Sequence, residues 1–240
     1  MTTAARSTSK STDPAADIAE IRRAIGLVAV SGGVIEIRAP KIPGRGKPYT
    51  VAGYFTDLDK AAQAAWLLDS RRKAPGVYIV LNEINPALLA RSPNQLTDYL
   101  DSTTSDSDII RRRWLPLDFD PKRPAGVSAS EDEHCEAEDL ARECTAWLHS
   151  SGWPLPILAD SGNGAHLLYR IDLPNDEAST ALVRDTIAAV AEHFKGRGVD
   201  VDRNVFNAAR IFKVYGTTAR KGHHMPDRPH RLAQLIEVPE

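Results

Sequence analysis

Apolar residues recur along this chain with two different periods, and the changes of period divide it into elements. A predicted helix runs through Ile18, Ile21, Ile25 and Leu27, and Asp13-Pro14 ahead of them reads as an N-cap with proline at the first helical position. Val34-Ile35-Glu36-Ile37 is a predicted strand, and residues 40–48, rich in Pro, Gly and Lys, are a predicted loop. Thr56 is expected to cap a second helix that ends near residue 72, with Asp59 at the capping-box position. Residues 76–81 form an apolar strand, and a polar stretch over 101–108 leads into Trp114-Leu115-Pro116-Leu117-Asp118-Phe119-Asp120-Pro121. An acidic helix follows over 131–150, with Leu140, Cys144, Trp147 and Leu148 on its apolar side. Two short strands over 156–159 and 165–171 flank the turn Ser161-Gly162-Asn163-Gly164. An amphipathic helix over 176–194 and a strand over 210–215 complete the pattern. From Asp118 the order strand, helix, strand, strand, helix, strand predicts an α+β sandwich with helices on one face of a sheet. Residues 1–12, mostly Ser, Thr and Ala, are expected to be a disordered tail. Residues 13–240 are expected to form one domain.

Alternation singles out the strand at Asp118. Leu115, Leu117 and Phe119 point to one side, Asp118 and Asp120 to the other. Two carboxylates roughly 7 Å apart on one strand face repel each other, and a half-buried strand gains nothing from them unless cations sit between. Three other Asp-x-Asp pairs test how specific that signal is. Asp57-Leu58-Asp59 is explained by helix capping, and Asp106-Ser107-Asp108 lies in a polar stretch where it is expected to be solvated. Asp200-Val201-Asp202 precedes a basic segment and stays a candidate.

The turn at Ser161 has two readings. Asn163-Gly164 favours a tight hairpin, since both residues tolerate positive φ. Gly162 and Gly164 would also leave backbone N–H groups open to a phosphate, with Ser161 and His166 as flanking donors. A third feature runs from Asp202 to Thr217, where Arg210 and Lys213 are embedded among Ile211, Phe212 and Val214. Cations so placed need anionic partners, either internal or bound.

Composition narrows the classes. With 42% hydrophobic and 26% charged residues the chain is an ordinary globular sequence, and 240 residues bury a substantial core. Cys135 and Cys144 are too few for a disulfide framework or a four-cysteine zinc site. No apolar run approaches a membrane span and no signal peptide is evident, so a cytoplasmic location is the default expectation. The net charge of -2 hides an acidic stretch over 131–143 and a basic one over 195–231, the latter with nine Lys or Arg against three Asp. Near-neutrality argues against non-specific coating of nucleic acid, while the basic segment suits local phosphate binding. Gly44-Arg45-Gly46-Lys47 lacks the spacing of a Walker loop and is followed by Pro48. His223, His224 and His230 show no regular zinc-ligand spacing and read as part of a loosely ordered basic tail.

Taken in order, these features resemble the signature of the archaeo-eukaryotic primase superfamily, in the form found in primase-polymerase domains of phage, plasmid and mobile-element replication proteins. Leu117-Asp118-Phe119-Asp120 is similar to its first motif, and Ser161-Gly162-Asn163-Gly164-Ala165-His166 to the glycine-containing form of its second. Asp202, followed by Asn207, Arg210, Lys213, Gly216 and Thr217, resembles the third. The likeness extends over residues 77–231 and includes Asn82-Glu83-Ile84-Asn85-Pro86 and Arg228-Pro229-His230-Arg231. It implies a catalytic core over about 111–231, with an RRM-like antiparallel sheet covered by helices. An N-terminal α/β module over about 13–110 would pack against it.

The resemblance further implies a template-dependent nucleotidyltransferase, a DNA primase or polymerase. Asp118, Asp120 and Asp202 would hold two divalent cations, Mg²⁺ or Mn²⁺. Ser161, Gly162, Asn163, Gly164, His166, Arg210 and Lys213 would hold the triphosphate of an incoming NTP or dNTP. Arg220, Lys221 or the run Arg111-Arg112-Arg113 would track a single-stranded DNA template. Relatives often continue into a helicase, so a replicative helicase on the same or another chain is an implied partner. The cysteine-built zinc element of several primases has no counterpart here. Two other readings stay open: a two-metal nuclease using the same carboxylates, and a non-catalytic module that binds a replication origin or single-stranded DNA.

Overall fold

The computed structural model describes residues 13–239, so the tail expected over 1–12 lies outside the described residues. The chain runs α1 (Ile18–Val28), β1 (Ile35–Ile42), β2 (Tyr49–Phe55), α2 (Leu58–Ser70), β3 (Tyr78–Val80), β4 (Glu83–Ile84) and β5 (Thr97–Asp98). It continues through β6 (Ile109–Pro121), α3 (Glu131–Ser150), β7 (Ile157–Asp160), β8 (Ala165–Pro174), α4 (Glu177–His193) and β9 (Val199–Val201). Four short strands close it: β10 (Ile211–Lys213), β11 (Thr218–Ala219), β12 (Arg231–Leu232) and β13 (Gln234–Glu237). The protein is α+β, as its sequence pattern predicts. Among the described residues no helix is long and apolar enough to cross a membrane.

Two antiparallel sheets organise the molecule. The first has the order β10-β3-β1-β2-β5, and the second β13-β7-β8-β6-β4 with β9 also paired to β6. Strand β6 is the spine of the second sheet. From Arg111 to Phe119 it pairs with β8, while its other edge takes β4 at the start and β9 at the end. Helices α1 and α2 pack together over the first sheet, and α3 packs on β6 and β8 of the second. One continuous apolar core, including Ile37, Phe55, Leu68, Leu117, Phe119, Leu167 and Ile187, joins them.

The sheets exchange strands across residue 110, the expected join between module and core. β4 leaves the first half of the chain to pair with β6, and β10 leaves the second half to pair with β3. The strand expected over 210–215 is therefore shorter and belongs to the other sheet. Three residues carry no periodic signal that would say which edge they join.

Helix starts also differ from expectation. α1 is capped by Asp17, whose side chain accepts the Ala19 N–H, and Asp13 is left for other contacts. α2 is capped by Asp57, not Thr56: its carboxylate accepts from Asp59 and Lys60 N–H, and an acid is the stronger N-cap beside the helix dipole. The predicted loop over 40–48 is partly strand, since β1 runs on to Ile42. Asp106, expected to be solvated, accepts the Ala209 N–H at 2.7 Å and so fixes the approach to β10.

A buried ion pair locks the two ends of the fold together. Asp69 on α2, 1% exposed, accepts from the Thr218 N–H at 2.8 Å and from Arg220 Nη1 at 2.7 Å. Removing it leaves the Arg220 guanidinium buried with one carboxylate fewer. Asp69→Ala should lower the unfolding free energy in urea by about 3–5 kcal/mol, and a loss below about 1 kcal/mol, the range of exposed pairs, would contradict this reading.

Candidate active site

Backbone pairing brings the three candidate acids together. β6 presents Asp118 and Asp120, and β9 pairs so that Asp120 lies opposite Asp200. One residue past β9, the Asp202 N–H donates to the Asp118 carbonyl at 2.9 Å. Asp118, Asp120 and Asp202 thus line one cleft of about 480 Å³ between the two sheets. The first sheet contributes Tyr78 from β3 and Phe212 and Lys213 from β10, and the second contributes Ser161, Asn163 and His166. A second opening reaches the same three acids from the side of Lys122, Arg123 and Lys221.

The acids are electrostatically loaded. Burial, reinforced by the charges of Asp120 and Asp202, pushes the Asp118 carboxyl up to about 7. Arg210 and Arg123 pull the other way without restoring the ordinary value. Arg123 is the residue that sequence reasoning passed over. Its side chain is only 4% exposed, and Nη1 donates to Asp120 Oδ1 at 2.7 Å and to the Pro121 carbonyl at 3.0 Å. Its signal was a cation three residues beyond the carboxylate pair. Asp202 Oδ1 accepts from Asn204 N and Nδ2 at 2.8 and 3.0 Å. The three carboxylates are not gathered on one point, because the His and acid groups with ligand atoms within 4.8 Å of one another lie elsewhere among the described residues. An all-carboxylate donor set of this kind suits hard divalent cations such as Mg²⁺ or Mn²⁺.

Opposite them lies a buried basic group. Lys213 Nζ donates to the Thr218 carbonyl at 2.7 Å and sits 5.6 Å from the centre of the Tyr78 ring. Burial pushes this ammonium down to about 7. His166 is pushed down to about 3, by burial first and by Lys213 second, so its ring is neutral. Its Nδ1 shares a 3.0 Å hydrogen bond with the Tyr215 hydroxyl, and its Nε2 faces Asp118 Oδ1 at 3.5 Å. Burial raises the Tyr215 pKa, so the phenol keeps its proton and can donate it to Nδ1. The single ring proton then sits on Nε2, facing the cleft and the Asp118 carboxylate. Arg210 donates from Nη2 to the Asn204 carbonyl, and its buried Nε has no partner.

The Ser161 turn is built from behind. Gly162, not Asn163 or Gly164, takes the left-handed conformation, at φ 87°. The expected Asn-Gly turn is therefore a different one, a four-residue connection with the Ser161 N–H donating to the Gly164 carbonyl at 2.9 Å. The Gly162 N–H points at Asp160 Oδ1 at 2.5 Å and is not open to a phosphate. Asn163 Oδ1 accepts the Ala129 N–H at 2.9 Å. Gly164 lies against β6, where an added Cβ would run into the Phe119 carbonyl. Gly162 and Gly164 do not line the cleft; they shape the turn that brings Ser161 and His166 to it. His134 on α3 donates to Asp160 at 2.8 Å. Burial opposes its protonation, yet Asp160 outweighs burial and holds its pKa above the ordinary value.

The basic residues expected to track a template are mostly engaged. Arg111 pairs with Asp172, Arg113 with Glu83 and Asp172, and Arg112 donates to the Phe206 carbonyl and the Thr180 hydroxyl. Arg220 is held by Asp13 and Asp69. Lys221 remains on the rim of both openings.

Fold and site together define an α+β protein whose two antiparallel sheets enclose a cleft lined by three carboxylates and by basic groups among and beside them. No protein-family model and no curated protein sequence matches the chain. Among solved structures, the polymerase domain of Ligase D from Mycobacterium tuberculosis, in complex with DNA, aligns over 90% of this chain and 79% of its own. The identity is 17% and the TM-score 0.45, a distant likeness that defines no family for this chain.

A carboxyl pushed above its ordinary 3.8 to about 7 binds its proton more tightly in the folded protein than in the unfolded one. Its ionised form therefore subtracts from stability increasingly as pH rises from about 4 to 7. In chelator, Asp118→Asn should melt at a higher temperature than the natural protein at pH 8, with the advantage shrinking toward pH 4. A lower melting temperature at pH 8 would contradict the charge crowding.

Proposed function

We propose that this protein is a template-dependent nucleotidyltransferase, a DNA primase or polymerase that adds nucleotides to a 3′-hydroxyl on single-stranded DNA. What carries the reading is one cleft that holds Asp118, Asp120 and Asp202 with Ser161 and His166 beside them on the second sheet, and Lys213 brought in from the first. A nuclease needs the acids and has no use for a basic pocket shaped to β and γ phosphates.

In this reading Asp118, Asp120 and Asp202 hold two divalent cations, Mg²⁺ or Mn²⁺. When bound, these supply a lowered pKa for the attacking hydroxyl and charge neutralisation for the departing pyrophosphate. Lys213, the Nε2–H of neutral His166 and the Ser161 hydroxyl donate to the triphosphate oxygens. The unpartnered Nε of Arg210 is a further donor on the same side. The 3′-oxygen attacks the α-phosphorus, the bond to the bridging oxygen breaks, and pyrophosphate leaves; no protein nucleophile takes part. Catalysis rests on positioning and charge. Gly162, Asn163 and Gly164 act through the shape of the turn, and Lys221 is the basic residue placed to meet a template at the rim. A replicative helicase is the partner such a module would serve.

The test is incubation with a single-stranded template, with and without a 3′-hydroxyl primer, labelled nucleoside triphosphates and Mg²⁺ or Mn²⁺. Extended or newly made strands are expected, and both should vanish in Asp118→Ala with Asp120→Ala. Shortened DNA would make the protein a nuclease, and DNA binding without any product would make it a binding module. A charge-assisted hydrogen bond is worth about 1.5–3 kcal/mol. Lys213→Met should therefore weaken nucleotide affinity by roughly 10- to 100-fold while leaving template binding intact. Unchanged nucleotide affinity would remove Lys213 from the phosphate site.

A further inference from the structure

Behind Arg220, which lines the cleft, the start of the described chain meets its last hairpin. Asp13 Oδ1 lies 2.8 Å from His230 Nδ1 and 3.6 Å from His224 Nδ1. The three side chains present ligand atoms all within 4.8 Å of one another. The two imidazole rings stand at 89°, their centres 5.1 Å apart. We propose that Asp13, His224 and His230 form a site for one divalent transition-metal ion of the zinc type, tying residue 13 to the segment that enters β12.

Ligand atoms bonded at about 2.0–2.2 Å in a tetrahedral array lie roughly 3.3 Å from each other. The separations of 2.8 and 3.6 Å bracket that value, so small side-chain adjustments accommodate the ion. The outer shell is in place as well. His230 Nε2 donates to the Gly222 carbonyl at 3.0 Å, which leaves Nδ1 as the ligating nitrogen. Asp13 Oδ2 accepts from Arg220 Nε at 2.7 Å, which turns Oδ1 toward the rings. His224 Nδ1 accepts the His230 backbone N–H at 3.2 Å, so its one lone pair is already engaged and a metal ion would have to displace this long hydrogen bond. Two imidazoles and one carboxylate select Zn²⁺ or Co²⁺ over Mg²⁺.

The site goes beyond nucleotidyl transfer, since none of its three residues lines the cleft. Its reach is structural. The same segment sends Arg228 to Glu133 at 2.7 Å and Arg231 to the Ala129 carbonyl at 2.8 Å. The Arg231 carbonyl also stands 3.1 Å from where a Cβ on Gly162 would lie, so a metal here would brace the wall behind the Ser161 turn.

The test uses the full chain, stripped with chelator, supplied with excess Mg²⁺ to occupy the acidic cleft, and titrated with Co²⁺. One equivalent should give the visible absorption of four- or five-coordinate cobalt, and Zn²⁺ should bleach it. His224→Gln and His230→Gln should each weaken the binding by more than the roughly 10- to 100-fold that loss of an outer-shell partner costs. Asp118→Asn and His134→Gln should keep it, the latter because His134, Glu138 and Asp160 form the other close group of ligand atoms. Should the histidine variants fail to fold, equimolar Zn²⁺ should still raise the melting temperature of the natural protein. Absence of a cobalt band or of that rise in the natural protein overturns the site, as does a band kept in both variants or lost instead in His134→Gln.

Discussion

A single main-chain hydrogen bond, from the Asp202 N–H to the Asp118 carbonyl, fixes the relation between the two halves of the cleft. It ends the pairing of β9 with β6, and beyond it the chain leaves the second sheet to enter the first at Ile211. The third carboxylate is therefore placed by the ladder of peptide groups, which is indifferent to side-chain charge. Mutual repulsion of the acids cannot separate their backbones without breaking that ladder. It appears instead as the raised proton affinity of Asp118 and as the side-chain pairing of Arg123 with Asp120.

The basic groups are held on the same terms. Lys213 is 5% exposed and His166 equally buried, and burial disfavours the charged form of each. Both sets of groups are thus kept by the scaffold in states that water would relax. Stability comes from elsewhere, from the apolar core that runs under both sheets, and the unfavourable charge is concentrated where ligands of opposite sign would relieve it. Groups held in this way are oriented by folding, before any ligand arrives.

How much of this could be read in the sequence depended on the range of the interaction involved. Asp118 and Asp120 were legible because alternation around Leu117 and Phe119 is a property of neighbouring residues. The acidic helix and the helix behind Asp176 were legible for the same reason. Cations were not. Arg111, Arg113 and Arg220 look as available in the sequence as Lys221, but their carboxylates are 61, 59 and 151 residues away. The turn at Gly162 was misread because Asn163-Gly164 has the stronger local preference, which the distant anchor at Ala129 overrides. The strand at Ile211 was expected, but the sheet it joins was set by β3, more than a hundred positions upstream.

The contact between Asp13 and His230 spans 217 residues, and that between Asp13 and Arg220 spans 207. Contacts of such separation form slowly, because closing the intervening loop loses entropy before anything is gained. β1 pairs with β2, its neighbour in the chain, and β8 lies between β7 and β6. Lys213 on β10 and Asp13 are placed by partners far away in the sequence. The strands of the acidic side are thus joined by contacts of shorter range than those that bring β10 to β3 and Asp13 to the final hairpin.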